Sequence, residues 1–478
     1  MEGATVVLTC GSKSFETFSD ENGAFRFTDL PAGRCSLRVE RGGVSRVRQI
    51  LVGAGATSSE VDFWLPVQAR ISGRVVDRSG EAIGSGQVWL LERAMQLGAV
   101  RFRVRGSAAI ASDGSYHLDR VEARRSFVLL AVAAGQTASQ SVLTPAFHPG
   151  STRLEGALPL RLEPGEIRES ADIQMERVPA LCAAGRVEGG SAEYRLLDQQ
   201  MPAGGVAFAI GRAGKTKPDG SFQICGLPPG DYKLVAYRAA SSGAGFFGRE
   251  DVVLTEKDLT GIRVSTSGTT PLVASAVWSD EGQAATVPEL LVKMVPMKGF
   301  AVAGLDDGLT QTCSAPCELH WPGLRLDDYR VYVSGLSGLA YLQMATYGGQ
   351  NVLREPLRLG GAIEGAALKL TLDANGGRIA VHLKDRKGNP VPDVPVLVVA
   401  EREASAPAIA DALIEGVTDE NGSYITPGLS PERYRVVARV ESADRSPDGL
   451  AALVQTMMSG RRIEVAAGSV AEVQIELR

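Results

Sequence analysis

Residues 216–236 read Thr-Lys-Pro-Asp-Gly-Ser-Phe-Gln-Ile-Cys-Gly-Leu-Pro-Pro-Gly-Asp-Tyr-Lys-Leu-Val-Ala, and relatives of this segment recur along the whole chain. Residues 20–33 are one copy and 418–434 another, with weaker copies at 112–118 and 313–329. The equivalent turn positions, Gly23, Gly114, Gly220, Cys317 and Gly422, fall roughly 100 residues apart, the size of one small β domain rather than of a short solenoid repeat. In the Gly220 copy, Asp219-Gly220 supplies the positive φ of a tight turn, and Phe222 and Ile224 then alternate with Ser221 and Gln223 as in a half-buried strand. Pro228-Pro229-Gly230 makes a rigid turn, and Tyr232, Leu234 and Ala236 restart the alternation on a returning strand.

Matching first strands precede the copies at 71–80 and 379–388, each ending in a charged glycine turn, and second strands follow at 87–91 and 394–399. Alternating runs at 171–175 and 470–477 close two of the modules. Short strands, turn signals about every ten residues and no sustained helical period predict β-sandwiches. The fold class is therefore all-β, about five tandem Greek-key sandwiches in an elongated array, with modules at 1–66, 67–178, 179–267, 268–372 and 373–478. A chain of 478 residues is too long for one sandwich and suits four or five. A short helix is expected only within 406–414, inside a long loop.

The pattern Asp-x-x-Gly-x-Phe-x-Phe-x-x-Leu-Pro-x-Gly-x-Tyr-x-Leu, preceded by Gly-x-Val-x-Asp-x-x-Gly, resembles the carboxypeptidase regulatory-like domain, which implies a prealbumin-like Greek-key sandwich. Ala146-Phe147-His148-Pro149-Gly150-Ser151-Thr152 and Tyr347-Gly348-Gly349-Gln350-Asn351-Val352-Leu353 are similar to segments of large secreted bacterial tandem proteins. The chain departs from the pattern where Glu122-Ala123-Arg124-Arg125 replaces the Pro-Gly turn and where Cys317 replaces the turn glycine.

The six cysteines fall in even numbers per module: Cys10 with Cys35, Cys182 with Cys225, and Cys313 with Cys317. Each pair reads as an intradomain disulfide of an oxidising compartment, against the alternative of three pairs of buried thiols. Cys313 and Cys317 form a hairpin staple in this reading; as half of a metal site they lack a second cysteine pair, with His320 the one histidine nearby. The start, residues 1–10, lacks the basic and apolar segments of a signal peptide, while 3–8 resembles the second strand of a module. The expectation is a secreted, periplasmic or cell-surface protein whose export signal and first strand lie upstream of this chain. No apolar run is long enough to span a membrane, and a net charge of −5 from 50 basic and 55 acidic residues gives no field favouring nucleic acid.

Metallocarboxypeptidases join such a domain to a zinc enzyme, yet none of His117, His148, His320 and His382 begins a His-x-x-Glu pair. The stretch 334–338 has the wrong spacing for a nucleophile elbow. The terminal signature of the transthyretin-like hydrolases is replaced by Gln474-Ile475-Glu476-Leu477-Arg478, and Lys384 has no asparagine on the closing strand for an isopeptide bond. No catalytic residue, metal ligand or cofactor site is assigned. The Asp20, Asp113, Asp219 and Asp419 turns lack the oxygen ladder of a calcium loop and read as Asx or type I′ turns. Trp64, Trp89, Trp278 and Trp321 can stack on sugars, but Trp89 and Trp321 fall in phase with inward positions.

Two insertions, 92–110 with Arg101, Arg103 and Arg105, and 401–417, read as recognition loops, as does an exposed aromatic loop at Phe246 and Phe247. The function expected is a non-enzymatic scaffold, spacer or adhesion protein meeting a surface glycan, peptide or protein. The alternative is a carbohydrate- or peptide-binding accessory region of a larger enzyme or outer-membrane receptor.

Overall fold

The structure is a computed structural model that describes residues 2–11, 13–41, 44–53, 65, 68–96, 99–134, 140–199, 212–239, 245–279, 287–297, 309–359, 366–403, 405–438 and 444–477. One strand arrangement recurs. Ala69–Asp77, Leu181–Val187, Thr270–Trp278 and Arg378–Lys384 each pair antiparallel with the strand that follows the repeat turn, respectively Ser115–Val121, Ser221–Leu227, Cys317–Leu324 and Ser423–Ile425. The same four strands pair in parallel with the closing strands Ile173–Met175, Leu259–Val264, Leu368–Asp373 and Val470–Glu476. First and last strands thus lie side by side, which is why the repeat reads as closed units rather than as a continuous ribbon.

Against each of these sheets packs an antiparallel one that contains Gly86–Gln96, Glu193–Asp198, Val287–Pro296 or Pro395–Ala400. The alternation seen in sequence drives this packing, since one face of each sheet is apolar and must be covered. In the third such pair, Phe222, Ile224, Tyr232, Leu234, Ala236 and Val252 meet in one cluster. Separate clusters gather around Ile71 and Leu129, around Trp321 and Leu370, and around Val381 and Val436. Trp89 is half-buried beside Leu91 and Phe147, Trp278 packs against the Trp321 cluster, and Trp64 lies outside the described residues.

The N-terminal stretch differs. Lys13–Phe18, Thr5–Cys10, Gly33–Arg41 and Val44–Val52 form one four-stranded sheet in that order. Phe25 and Phe27, the counterparts of Phe222 and Ile224, are half-buried against it but in no strand, because among the described residues no first strand pairs with them.

Among the described residues two α-helices interrupt the β architecture, α1 at Ala406–Ala412 and α2 at Pro447–Met458. The first matches the expected helix; the second was not anticipated. Both begin on a serine whose hydroxyl accepts a backbone N–H, Ser405 from Ala408 and Ser446 from Gly449, followed by a proline in the first turn. Leu397, Val399, Ile409, Leu453 and Met457 bury the helices on the outer face of the sheet. Strand Gly86–Gln96 also reaches both helices, so sandwiches distant in sequence touch, and the array is not strung end to end throughout.

Candidate functional site

The repeat turns are built from carboxylates that serve their own backbone. Asp219 Oδ1 accepts from the Ser221 N–H at 3.0 Å and from its hydroxyl at 2.8 Å, and Asp113 does the same with Ser115 at 3.0 and 2.7 Å. Asp20 accepts from the Asn22 and Ala24 N–H groups, and Asp419 from those of Asn421 and Ser423. Hydrogen bonds from Ser221 N–H and hydroxyl hold the Asp219 carboxyl below the ordinary 3.8, and the Ser115 hydroxyl does so for Asp113. The glycines that follow sit at positive φ, Gly220 at 85° and Gly114 at 83°. Among the described residues no group of three or more His, Cys, Asp and Glu side chains is placed to hold a metal ion. These are Asx turns, each carboxylate serving its own backbone through Oδ1.

The tyrosine of the repeat has an equally internal role. The Tyr232 hydroxyl donates to the Pro228 carbonyl at 2.6 Å, Tyr329 to Arg325 at 3.0 Å and Tyr434 to Ser430 at 2.9 Å. In every case the acceptor lies four residues upstream, so the ring locks the corner between facing sheets. Burial pushes the Tyr232 and Tyr434 phenols well above 10.0. At the same position the N-terminal copy has Cys35 and the second has Phe127.

All six cysteines are in disulfides, Cys10–Cys35, Cys182–Cys225 and Cys313–Cys317. Cys10 and Cys35 join adjacent strands, and Cys182 and Cys225 likewise. Cys313–Cys317 is not a hairpin staple. Strand Thr310–Ala315 pairs with Val287–Pro296, whereas Cys317–Leu324 pairs with Thr270–Trp278. The bond therefore ties one sheet to the facing one where the chain crosses at Pro316.

The histidines are scattered. His148 is buried with Nδ1 2.8 Å from the Asp172 carbonyl oxygen, and His382 Nδ1 lies 2.9 Å from the Ser423 hydroxyl. His117 lies on Ser115–Val121, and His320 is 3.7 Å from Glu318.

The expected recognition residues divide. Arg105 reaches Glu92, donating Nε–H at 2.6 Å, and Arg125 donates to the other carboxylate oxygen at 2.7 Å. Glu92 is 8% exposed, so a buried carboxylate ties Arg105 of the hairpin to Arg125 outside it. Arg103 lies across from Glu92 in the ladder and is exposed, and Arg101 lies across from Ala94. The aromatic loop is corrected outright: Phe246 and Phe247 belong to strand Phe246–Leu254, Phe246 is 6% exposed in the core, and Phe247 is half-buried. The Arg238 guanidinium lies 4.5 Å from the Phe246 ring centre and that of Arg325 5.1 Å from Phe247. Gly248 explains the placement, since a Cβ there would stand 2.5 Å from the Ser265 carbonyl oxygen.

The second sandwich meets the last one through the first insertion and residues 444–445. The Met95 N–H donates to the Arg445 carbonyl at 2.7 Å, and Arg161 Nη1 lies 3.5 Å from Asp444 Oδ2. Neither Met95 nor helix α2 stood out in the sequence, although Ser446-Pro447 followed by Leu450, Leu453, Val454 and Met457 carries a capped helical period. A hollow of about 360 Å³ opens at the sheet edges of the last sandwich beside Val437, Arg461 and Gln474. Arg461 already donates there to the Gln474 carbonyl.

Fold and site together define a tandem β-sandwich protein whose recurring polar side chains hold its own corners. Residues 1–66 match the sequence model of the carboxypeptidase regulatory-like domain. No curated protein matches the chain in sequence. Among solved structures it is similar to the Bacillus anthracis TIE protein, at 9% identity and a TM-score of 0.17 over 100% of this chain and 69% of that one. It is also similar to GBS52, the minor pilin of Streptococcus agalactiae, at 13% identity and 0.21 over 42% and 98% of the two chains. BcpA, the major pilin subunit of Bacillus cereus, gives 10% and 0.16 over 86% and 99%. At such scores these likenesses carry no argument about function.

Proposed function

We propose that the chain is a non-enzymatic scaffold or spacer outside the cytoplasm, at a bacterial surface, built of five β modules bounded at 1–66, 67–178, 179–267, 268–372 and 373–478. One observation carries this reading: the Asp, Tyr and Cys side chains that recur in the repeat bond the fold's own backbone or each other. What repeats is thus a set of stiff corners, which suits a protein whose task is to hold length and orientation. The match of residues 1–66 to a regulatory-like domain supports a non-catalytic role. Three disulfides support an oxidising compartment. No helix among the described residues is long and apolar enough to cross a membrane.

A partner, whether surface glycan, peptide or protein, would meet the side chains that differ between sandwiches, with exposed Arg103 the foremost of them. Glycan and peptide arrays probed with the full chain test the reading. A spacer gives no selective signal. Micromolar binding that is lost on changing Arg101, Arg103 or the 401–417 segment makes the chain a binding module instead. A nonreducing peptide map of protein exported to its native compartment tests the location, since six free thiols there would contradict it.

A further inference from the structure

Strand Gly86–Gln96 outruns its neighbour. Its pairing with Ser126–Ala133 ends at Glu92 across from Phe127, while pairing with Ala99–Ala109 continues to Gln96 across from Ala99. Residues 93–96 therefore have one edge in the hairpin and one edge that the home sheet leaves open, and an open edge presents backbone donors that need acceptors. The Met95 N–H on that edge points away from the hairpin and finds the Arg445 carbonyl. Arg445 is braced for the contact: its guanidinium donates to Glu415 at 2.8 Å and to the Leu413 carbonyl at 3.3 Å. Asp444 beside it accepts the Ser446 N–H at 2.9 Å and faces Arg161. A second link, Arg46 to Asp393 at 4.0 Å, joins the N-terminal sheet to the same sandwich.

We propose that the 93–96 edge and the 444–458 segment form a releasable clasp that holds the array folded back, so that the chain has a closed and an extended length. The occupant of the hairpin edge is the chain's own last sandwich. The bonds across it are few and polar, one backbone hydrogen bond and one ion pair. Arg161 and Asp444 retain 51% and 24% side-chain exposure, so salt screens their attraction. Such a contact is too weak to join free molecules, but it closes within one chain because the intervening sandwiches keep the two sides at a high effective concentration. The proposal concerns the shape of the chain and is independent of its compartment or ligand.

Small-angle scattering of the full chain tests it, with four variants compared in low and high salt. Wild type is expected to be compact in low salt. Met95→Pro, which removes the donor without touching the hairpin's own bonds, and the single reversals Arg161→Glu and Asp444→Arg, are expected to raise the radius of gyration by on the order of ten ångström. The double reversal Arg161→Glu/Asp444→Arg should return it to the wild-type value. Circular dichroism of each variant guards against misfolding, since an unfolded sandwich loses strand signal and an opened clasp keeps it. Identical scattering from all variants would overturn the clasp, as would a double reversal as extended as the singles. A concentration-dependent dimer that Met95→Pro abolishes would also overturn it, placing the contact between copies.

Discussion

Tyr232 and Pro228 are joined by a 2.6 Å hydrogen bond from phenol to carbonyl, and Tyr434 repeats the bond to Ser430 two sandwiches later. The ring fills the core while its hydroxyl satisfies a turn carbonyl. One residue thereby couples sheet packing to turn geometry. A Tyr232→Phe variant keeps the packing and removes the bond, and we expect it to destabilise its sandwich by about 1–2 kcal/mol. Denaturant unfolding of the full chain should show one transition moved and the others in place, since several sandwiches do not unfold as one two-state unit.

The same phenols set the alkaline limit. Burial raises the Tyr232, Tyr434 and Tyr116 phenols above their ordinary 10.0. Above pH 10 the unfolded chain releases those protons and the folded chain retains them, so folding binds protons there and stability falls as pH rises. Below pH 10 the contribution is complete and flat. Thermal melting across the alkaline range measures this, and Tyr232→Phe should lessen the slope.

Glycine positions offer a paired test. At Gly220 a Cβ would stand 2.3 Å from the Val187 carbonyl oxygen, on top of a φ of 85°. At Gly80 the φ is the same and nothing lies within 4 Å. Gly80→Ala should therefore cost only the left-handed strain, about 1 kcal/mol, and Gly220→Ala about 2–3 kcal/mol or more. Arg120 holds a φ of 62° at the position where the third copy has Gly226 at 76°, so Arg120→Gly should stabilise the second sandwich by about 1 kcal/mol. Melting temperatures of the three variants check the order.

What could be read from sequence was what is local. The Asp-Gly turns, the alternation on either side and the closing strands depend on neighbours within a few residues, and the structure follows them. Arg105 does not read as an internal residue because its partner Glu92 lies 13 residues away, and the Arg125 that shares Glu92 lies 33 residues from that carboxylate, so the three meet only through the strand order. Phe246 was misjudged because Gly245 and Gly248 look like loop punctuation, whereas Gly248 is there to let two strands pass closely. Helix α2 hid behind Gly449, and its contact with Met95 needs a path through two intervening sandwiches that no local pattern encodes.

Glu92 should matter more than the arginines that drew attention to the hairpin. Removing it in Glu92→Ala leaves Arg105 without its carboxylate and Arg125 with Glu122 alone, at a cost of about 2 kcal/mol. Arg103→Ala, at an exposed position across from it, should stay within about 0.5 kcal/mol. Unfolding midpoints distinguish a structural triad from a ligand site, because a binding role predicts the reverse: normal stability in both variants and lost affinity in each.

The disulfides should rank by the chain they close. Cys182–Cys225 spans 43 residues, Cys10–Cys35 spans 25 and Cys313–Cys317 spans 4. Restricting the unfolded chain stabilises by an amount that grows with the logarithm of loop length, giving about 4, 3.5 and 2 kcal/mol in that order. Paired Cys→Ser variants of the full chain, unfolded without reductant, measure the ranking. The N-terminal pair carries an extra consequence, because Cys35 stands where Tyr232 and Tyr434 hold their corners and no phenol is there to take over. Its loss should therefore leave the single sheet of residues 5–52 with the lowest unfolding midpoint in the chain, even though the 43-residue loop loses more entropy restriction.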